Sequence, residues 1–350
     1  MALPGDLYPD FDPNGVGLQN GHFIGLPFQE AEAQLVLLSI PWDATVSFGD
    51  GTATGSDNIL AESPQLDLYD PLLPDAWKYG LYLRPADPAW REKNRAIRAQ
   101  AQQYIEFLEA GGKLAEAPEM QAILDEVNAA CFELKEWVAA ETRQLLDQGK
   151  LVGLVGGDHS TPLGFLEVLA ERHGSFGILQ IDAHMDLRKA YEGFTYSHAS
   201  IFYNALQIPQ VSRLVQAGIR DLCQEEMDLA TQAGERVQVF TDAAIRRQLF
   251  QPGGSYQQVV ETILAALPDK VYISFDIDGL DPSLCPNTGT PVPGGFGFQE
   301  AIYLLEQLAQ SGKQLIGFDL SEVAGLGHAF DGNVGARILY KLGVGMLVGQ

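Results

Sequence analysis

The stretch that decides the fold is ILQIDAHMDLR, residues 178–188. It opens as an apolar, β-branched run and ends in Asp182, His184 and Asp186, with Ala183 and Met185 between them. A strand that delivers three strong ligand side chains at its carboxyl end is the usual arrangement of a parallel sheet, where ligands gather at that edge. Alternation along an extended backbone points the three to one side. Two other runs end the same way. LVGLVGGDHS (151–160) leads to Asp158-His159, and VYISFDIDGLDP (271–282) places Asp276 and Asp278 two apart.

Outward from these runs, QLVLLSIPWD (34–43) reads as the first strand, and RLVQAGIR, VQVF and QLIGFDLSEV as later ones. Helix-length segments separate them. In 90–110 the residues Ile97, Ala101, Tyr104, Ile105 and Leu108 recur at helical spacing, and Gly111-Gly112 stops the run. In 118–147 Met120, Leu124, Val127, Cys131, Leu134, Val138 and Leu145 do the same before Gly149. FDGNVGARILYKL (330–342) reads as a final helix. Apolar strands alternating with helices predict a three-layer α/β/α fold around a mostly parallel sheet. We expect one domain over 1–350, with a Gly-, Pro- and Asp-rich surface arm at about 1–33 and a helical excursion at about 72–150. The Gly-rich SFGDGTATGSDN (47–58) lacks the Gly-Lys-Ser/Thr ending of a phosphate loop.

Composition narrows the function. At 46% hydrophobic and 19% charged, the chain is a globular one. It has no apolar run near the ~20 residues of a membrane helix. MALPGDLYPDFDPNG shows no basic region followed by an apolar one, so no signal peptide is expected. Cys131, Cys223 and Cys285 have no zinc-finger spacing and read as free thiols of a cytoplasmic protein. A formal charge of −24 argues against nucleic acid and acidic membranes as partners and agrees with a small cationic substrate.

A lone Asp at a strand end is commonly a cap, and a lone His a hydrogen-bonded structural residue. Three such clusters on one rim are harder to explain that way. Unpaired, those carboxylates would repel one another and take up protons. Two divalent cations would balance Asp182, Asp186, Asp276 and Asp278. Oxygen-rich ligands with two imidazoles and no thiolate favour Mn²⁺ over structural zinc. Two ions sharing carboxylates can also acidify a water held between them.

GGDHS (156–160), DAHMD (182–186), SFDIDGLDP (274–282), NTGTPVPGG (287–295) and FDLSEV (318–323) together resemble the signature blocks of the ureohydrolases, in the family's order. This family comprises arginases, agmatinases, formimidoylglutamases and guanidine hydrolases. The resemblance implies an arginase-like fold, a binuclear Mn²⁺ centre with Ni²⁺ as the alternative, hydrolysis of a guanidino or formimino group, and a trimeric or hexameric homo-oligomer. Residue by residue, it implies that His159 and Asp186 bind one ion and His184 and Asp278 the other. Asp182 and Asp276 bridge both, and Asp186 also passes a proton to the leaving amine. Glu322 faces the guanidinium, and His198 in YSHAS shuttles protons. Thr290 and Pro291 shape the wall. DLRKAYEGFTYSHAS (186–200) is similar to agmatinases, which makes agmatine the first expected substrate. Guanidine, then arginine or formimidoylglutamate, are the alternatives. Arg188 follows the metal-binding strand and reads either as a surface salt bridge or as a selector of substrate tails, with Glu192 as a compensating acid. Outside the family, a single-zinc deacetylase-like enzyme and an inactive metal-binding protein are the other readings.

Overall fold

The apolar runs become strands because both of their faces are covered. The computed structural model describes residues 3–348. In it, β1 (Leu35–Ile40), β2 (Leu81–Arg84), β3 (Leu151–Gly156), β4 (Phe176–Ile181), β5 (Val211–Ile219), β6 (Val237–Thr241), β7 (Lys270–Asp276) and β8 (Gln314–Ser321) form one sheet. Its order is β2-β1-β3-β8-β7-β4-β5-β6, and every pairing is parallel. Alternate residues enter two separate cores. Leu35 and Leu37 of β1 pack on one side, and Val36, Leu38 and Ile40 on the other. This is period-two geometry in a sheet covered twice.

The first face is covered by α1 (Gly55–Glu62), α7 (Asp242–Phe250), α8 (Tyr256–Ala266), α9 (Phe298–Gln310) and α10 (Ala329–Val348). The second is covered by α2 (Pro88–Glu109), α3 (Pro118–Asp147), α4 (Leu163–His173), α5 (Ile201–Ala205) and α6 (Gln224–Ala233). The long helices α2 and α3 stand where the periodicity places them. Asp87 caps α2 by accepting from Ala89 N, and Pro118 opens α3. No helix among the described residues is long and apolar enough to cross a membrane.

Two expectations need correcting. The excursion at 72–150 is not all helical, because LYLR forms β2 at the sheet edge beside β1. Four residues between Gly80 and Pro85 are too few to show a period. Arg84 at its end donates to Glu30 through Nε and Nη2, both at 2.7 Å, and to Glu141 at 2.6 Å. The segment 1–33 is likewise more than a surface arm. Phe23, Leu26 and Phe28 are fully buried, and Ile24 N donates to Ser63 Oγ at 2.8 Å. The polar composition of the whole segment conceals the apolar FIGLPF at 23–28.

The strands β3, β8, β7 and β4 lie side by side, so their carboxyl ends form one continuous rim. Although β3 and β4 follow one another in the chain, β8 and β7 stand between them, which opens a crevice at that edge. Two glycines let the backbones close around it. A Cβ on Gly157 would lie 1.8 Å from Trp42 O, and one on Gly279 would lie 2.7 Å from Asp182 N. Gly157→Ala is therefore expected to destabilise the protein by about 1–3 kcal/mol, the usual cost of forcing atoms into filled space. The denaturant midpoint reads this directly, and an unchanged midpoint would show that the Trp42 backbone yields freely.

Candidate metal centre

Each of the four adjacent strand ends contributes a charged group. β3 continues through Gly157 to His159, and β4 stops at Ile181 with Asp182 next. β7 ends on Asp276, whose Oδ1 accepts from Asp278 N at 2.8 Å and so caps the short turn Ile277–Gly279. β8 ends on Ser321, followed by Glu322. All of these acids and His159 are buried, while His184 is partly exposed.

The extended path expected through 182–186 does not persist. Asp186 has φ 53°, in the left-handed region that Asp tolerates better than most residues. Its carbonyl accepts from Phe202 N at 3.0 Å and Tyr203 N at 3.3 Å, which secures the turn. The outcome still brings the three residues together. His159 Nδ1 lies 3.0 Å from Asp182 Oδ2, 3.1 Å from Asp186 Oδ2 and 3.3 Å from Asp276 Oδ2. His184 Nδ1 lies 3.0 Å from Asp278 Oδ2 and 3.6 Å from Asp182 Oδ1. Two triads with convergent ligand atoms result, His159/Asp182/Asp186 and Asp182/His184/Asp278, and Asp182 belongs to both. Asp276 falls in neither triad and touches the His159 side.

The hydrogen bonds behind His159 show what its inner nitrogen faces. Ser274 Oγ donates to Asp319 Oδ1 at 2.7 Å and lies 2.9 Å from His159 Nε2. Having given its only proton to Asp319, the hydroxyl accepts from Nε2–H. A neutral His159 then turns a lone pair on Nδ1 toward three carboxylates, and Nδ1 has no hydrogen-bond partner although it is buried. A lone pair aimed at anions is a ligand set for a cation. Proton affinities point the same way. Burial opposes charge on His159, yet Asp182, Asp186 and Asp276 outweigh it and push its pKa well up. Burial and then the charge of Asp182 raise Asp186 to about 7. Burial, Asp278 and Asp182 push Asp276 well up. The donors compete for protons that divalent cations would replace, so these residues fit a metal pair. Two triads sharing one carboxylate also disfavour the single-ion, deacetylase-like reading.

Several supporting residues escaped the sequence reading. Gln180 Nε2 donates to Asp182 Oδ2 at 2.8 Å and to His184 O at 2.9 Å. Gln216 Nε2 donates to Gln180 Oε1 at 2.6 Å and to Met185 O at 2.7 Å. Asp319 also accepts from Ser321 Oγ at 3.1 Å. Their signal was present: Gln180, Gln216, Ser274 and Asp319 are polar residues inside strands buried on both faces.

A cavity of about 160 Å³ opens on the centre, walled by His159, His184, Asp186, Asp276, Asp278 and Glu322. Glu322 adopts φ 63°. Its Oε1 accepts from His159 N at 3.0 Å, and its buried Oε2 has no partner. Burial, then Asp158 and Asp278, push the Glu322 pKa well up. His198 and Thr290 line the cavity, whereas Pro291 does not. Burial, then His184 and His159, lower His198 to about 3 and keep it neutral. At the mouth, Arg188 lies over the Tyr191 ring at 4.9 Å, with its Nε 3.9 Å from Glu226 Oε2. Asp221 lines the mouth beside them. Glu192 does not line the cavity.

Residues 33–342 match the arginase family. The chain is 32% identical over 320 residues to an N(1)-aminopropylagmatine ureohydrolase of Thermus thermophilus, covering 88% of this chain and 89% of that protein. It is 27% identical over 297 residues to an agmatinase of Bacillus anthracis, covering 84% of each. The solved agmatine ureohydrolase of Thermoplasma volcanium superimposes with a TM-score of 0.69 at 20% identity, over 98% of this chain and 97% of that one.

The shared position of Asp182 sets a measurable asymmetry. Asp182→Asn should deplete both ions, whereas Asp278→Asn should spare the His159 side and leave about one ion per chain. Elemental analysis of the purified variants checks this, and a fully loaded Asp182→Asn protein would contradict the shared ligand.

Proposed function

Because the chain belongs to the arginase family of ureohydrolases, we propose that it hydrolyses a guanidino compound with an amine-bearing tail: agmatine, or agmatine extended by an aminopropyl group. One observation carries the reading. Beside the two triads, Glu322 directs a buried oxygen without a partner at the cavity wall. A carboxylate so placed suits the paired N–H groups of a planar cation. For the tail, the support lies at the mouth and in the relatives. Asp221 and Glu226 are acidic, and Arg188 is already engaged by Glu226 and Tyr191. A carboxylate tail, as in formimidoylglutamate, would meet those acids. The Thermus thermophilus and Bacillus anthracis relatives are named for aminopropylagmatine and agmatine. A cavity of about 160 Å³ admits the guanidino head, so a longer tail would extend through the mouth.

In this reading His159, Asp182 and Asp186 would hold one divalent ion and Asp182, His184 and Asp278 the other, with Asp276 as a further ligand on the His159 side. The oxygen-rich set favours Mn²⁺, with Ni²⁺ second. When bound, the ions supply Lewis acidity and lower the pKa of water. The chain's own residues do the rest. Glu322 fixes the guanidinium so that its carbon faces the attacking water. The Asp186 carboxylate takes a proton from that water and returns it to the departing nitrogen. Neutral His198 lines the cavity, where its imidazole can accept a hydrogen bond from water or substrate. Urea and the free amine are the products. Cys131, Cys223 and Cys285 are unpaired, which supports a reducing cytoplasm. The family likeness supports a homo-oligomer, trimer or hexamer.

The deciding experiment follows urea release from agmatine, aminopropylagmatine, guanidine and arginine with Mn²⁺ and Ni²⁺. Formimidoylglutamate is followed through formamide or glutamate. We expect the amine-tailed pair to give the highest kcat/KM; a clear preference for guanidine or for an acidic substrate would replace this reading. Glu322→Gln should keep its metal and lose about 30- to 1000-fold in turnover, the ~2–4 kcal/mol of one charged contact in a dry site. Turnover at the wild-type level would mean that the guanidinium sits elsewhere. Arg188→Ala should change kcat/KM for the true substrate by less than about tenfold, or ~1.4 kcal/mol. A far larger loss with both ions bound would point to a carboxylate tail.

A further inference from the structure

The helices α2 and α3 contribute nothing to the metal centre, yet they hold the two loops that border the cavity. The first border is the loop 43–53, which supplies Ser47 to the wall. The Asp43 carboxylate curls this loop by accepting from Gly51 N at 2.8 Å and Ala53 N at 3.1 Å. Asn94 of α2 clamps the same residue in both directions. Its Nδ2 donates to Asp43 Oδ1 at 2.8 Å, and its Oδ1 accepts from Asp43 N at 2.9 Å. One helical turn later, on the same face, Arg98 Nη1 donates to Val46 O at 2.5 Å. The loop then leans on the opposite wall, where Gly49 N donates to Gly289 O at 3.2 Å. A Cβ at Gly289 would come within 3.1 Å of Glu322 Oε2, so this contact adjoins the free oxygen.

The second border is the turn at 190–195, which carries Tyr191 into the wall. Ala190, Glu192 and Gly193 have φ of 49°, 56° and 87°. Left-handed backbone at Ala and Glu is strained and persists only where the surroundings enforce it. Asn128 of α3 does so. Its Nδ2 donates to Gly193 O at 3.1 Å, and its Oδ1 accepts from Thr195 N at 2.8 Å. Tyr104 of α2 packs edge-on against Phe194 at 5.4 Å between centroids. The strained turn is thereby clamped to the excursion on one side, while on the other Tyr191 N donates to Ser200 Oγ at 3.2 Å and Asn204 Nδ2 donates to Thr195 O at 2.8 Å.

We propose that Asn94, Arg98 and Asn128 are positioning residues that set the width of the cavity mouth and so the choice of substrate tail, an inference that rests on the amine-tailed guanidino reading above. The separation of attachments is the reason. The guanidino head meets groups borne by β3, β4, β7 and β8. A tail leaving the cavity passes Ser47 and Tyr191, which sit on loops that α2 and α3 clamp at Asp43, Val46, Gly193 and Thr195. Loosening either clamp shifts the wall around the tail while the metal ligands stay in place.

The test compares wild type with Asn128→Ala and Asn94→Ala, using agmatine and aminopropylagmatine. Asn94 is buried, so its loss can unsettle the helix; Asn128 is only half-buried and keeps the test interpretable. Both variants should retain wild-type metal content. KM should rise about tenfold or more, unequally for the two tails, with kcat within about twofold, as expected when a wall is misplaced and the reacting groups are not. Asn128→Asp keeps the acceptor for Thr195 N–H and should recover part of the loss. An unchanged KM, or a fall in kcat or metal content that matches the rise in KM, overturns the proposal. Hydrogen exchange separates its failure from that of the substrate reading. If wild type cleaves neither compound, the substrate reading fails, and exchange at Thr195 still decides whether Asn128 holds the turn. That amide should exchange about tenfold faster in Asn128→Ala, and unchanged protection would rule the clamp out.

Discussion

Repulsion among buried carboxylates is the constraint on which this molecule depends. Asp182, Asp186, Asp276, Asp278 and Glu322 are brought to one rim with almost no access to water. The two imidazoles cannot neutralise them all. His159 already faces three of the acids through one nitrogen, and Ser274 engages the other. Each carboxylate that ionises there makes the next harder to ionise. Divalent cations would remove the conflict, and their binding would then stabilise the folded rim. A charge arrangement this unfavourable on its own is stronger testimony to cations than any single ligand distance.

Such a rim needs a support that does not relax away from it. The sheet provides one, because β3, β8, β7 and β4 are adjacent and both faces are packed. Their ends hold the ligands at spacings fixed by backbone hydrogen bonds. Behind the ligands, polar contacts run through Ser274 and Asp319 on one side and Gln180 and Gln216 on the other. These residues sit where an apolar side chain would pack more cheaply. Buried polar groups that are fully paired rigidify their surroundings, and here they fix the orientation of His159 and Asp182.

The sequence revealed the parts of this design that repeat at short range. Strands bounded by apolar runs, the periods of α2 and α3, and the paired Asp and His spacings are all local patterns. They placed the three layers and every residue of the two triads. What failed was either too short or disguised. β2 spans four residues, and the buried Phe23, Leu26 and Phe28 lie in a segment that is polar on average. The route to Asp186 was misjudged for a different reason. Alternation assumes an extended chain, and the left-handed turn at Asp186 depends on α5, which lies further along the sequence. Asp186 reaches the cluster, but by another path.

The same distinction separates the chemistry of this site from its selectivity. Hydrolysis needs groups within a few ångströms of one another, and a short motif at a strand end can supply them. Discriminating tails needs surfaces farther from the centre, built by loops whose shape is dictated elsewhere. Loop 43–53 is clamped by Asn94, and turn 190–195 by Asn128, which lie dozens of residues away in the sequence. Neither asparagine carries a motif, and on a helix each reads as an ordinary polar residue. Two proteins could therefore share every ligand of the centre and still accept different amines. On the proposal that the two clamps set the mouth, reactivity is encoded locally and choice of substrate at a distance.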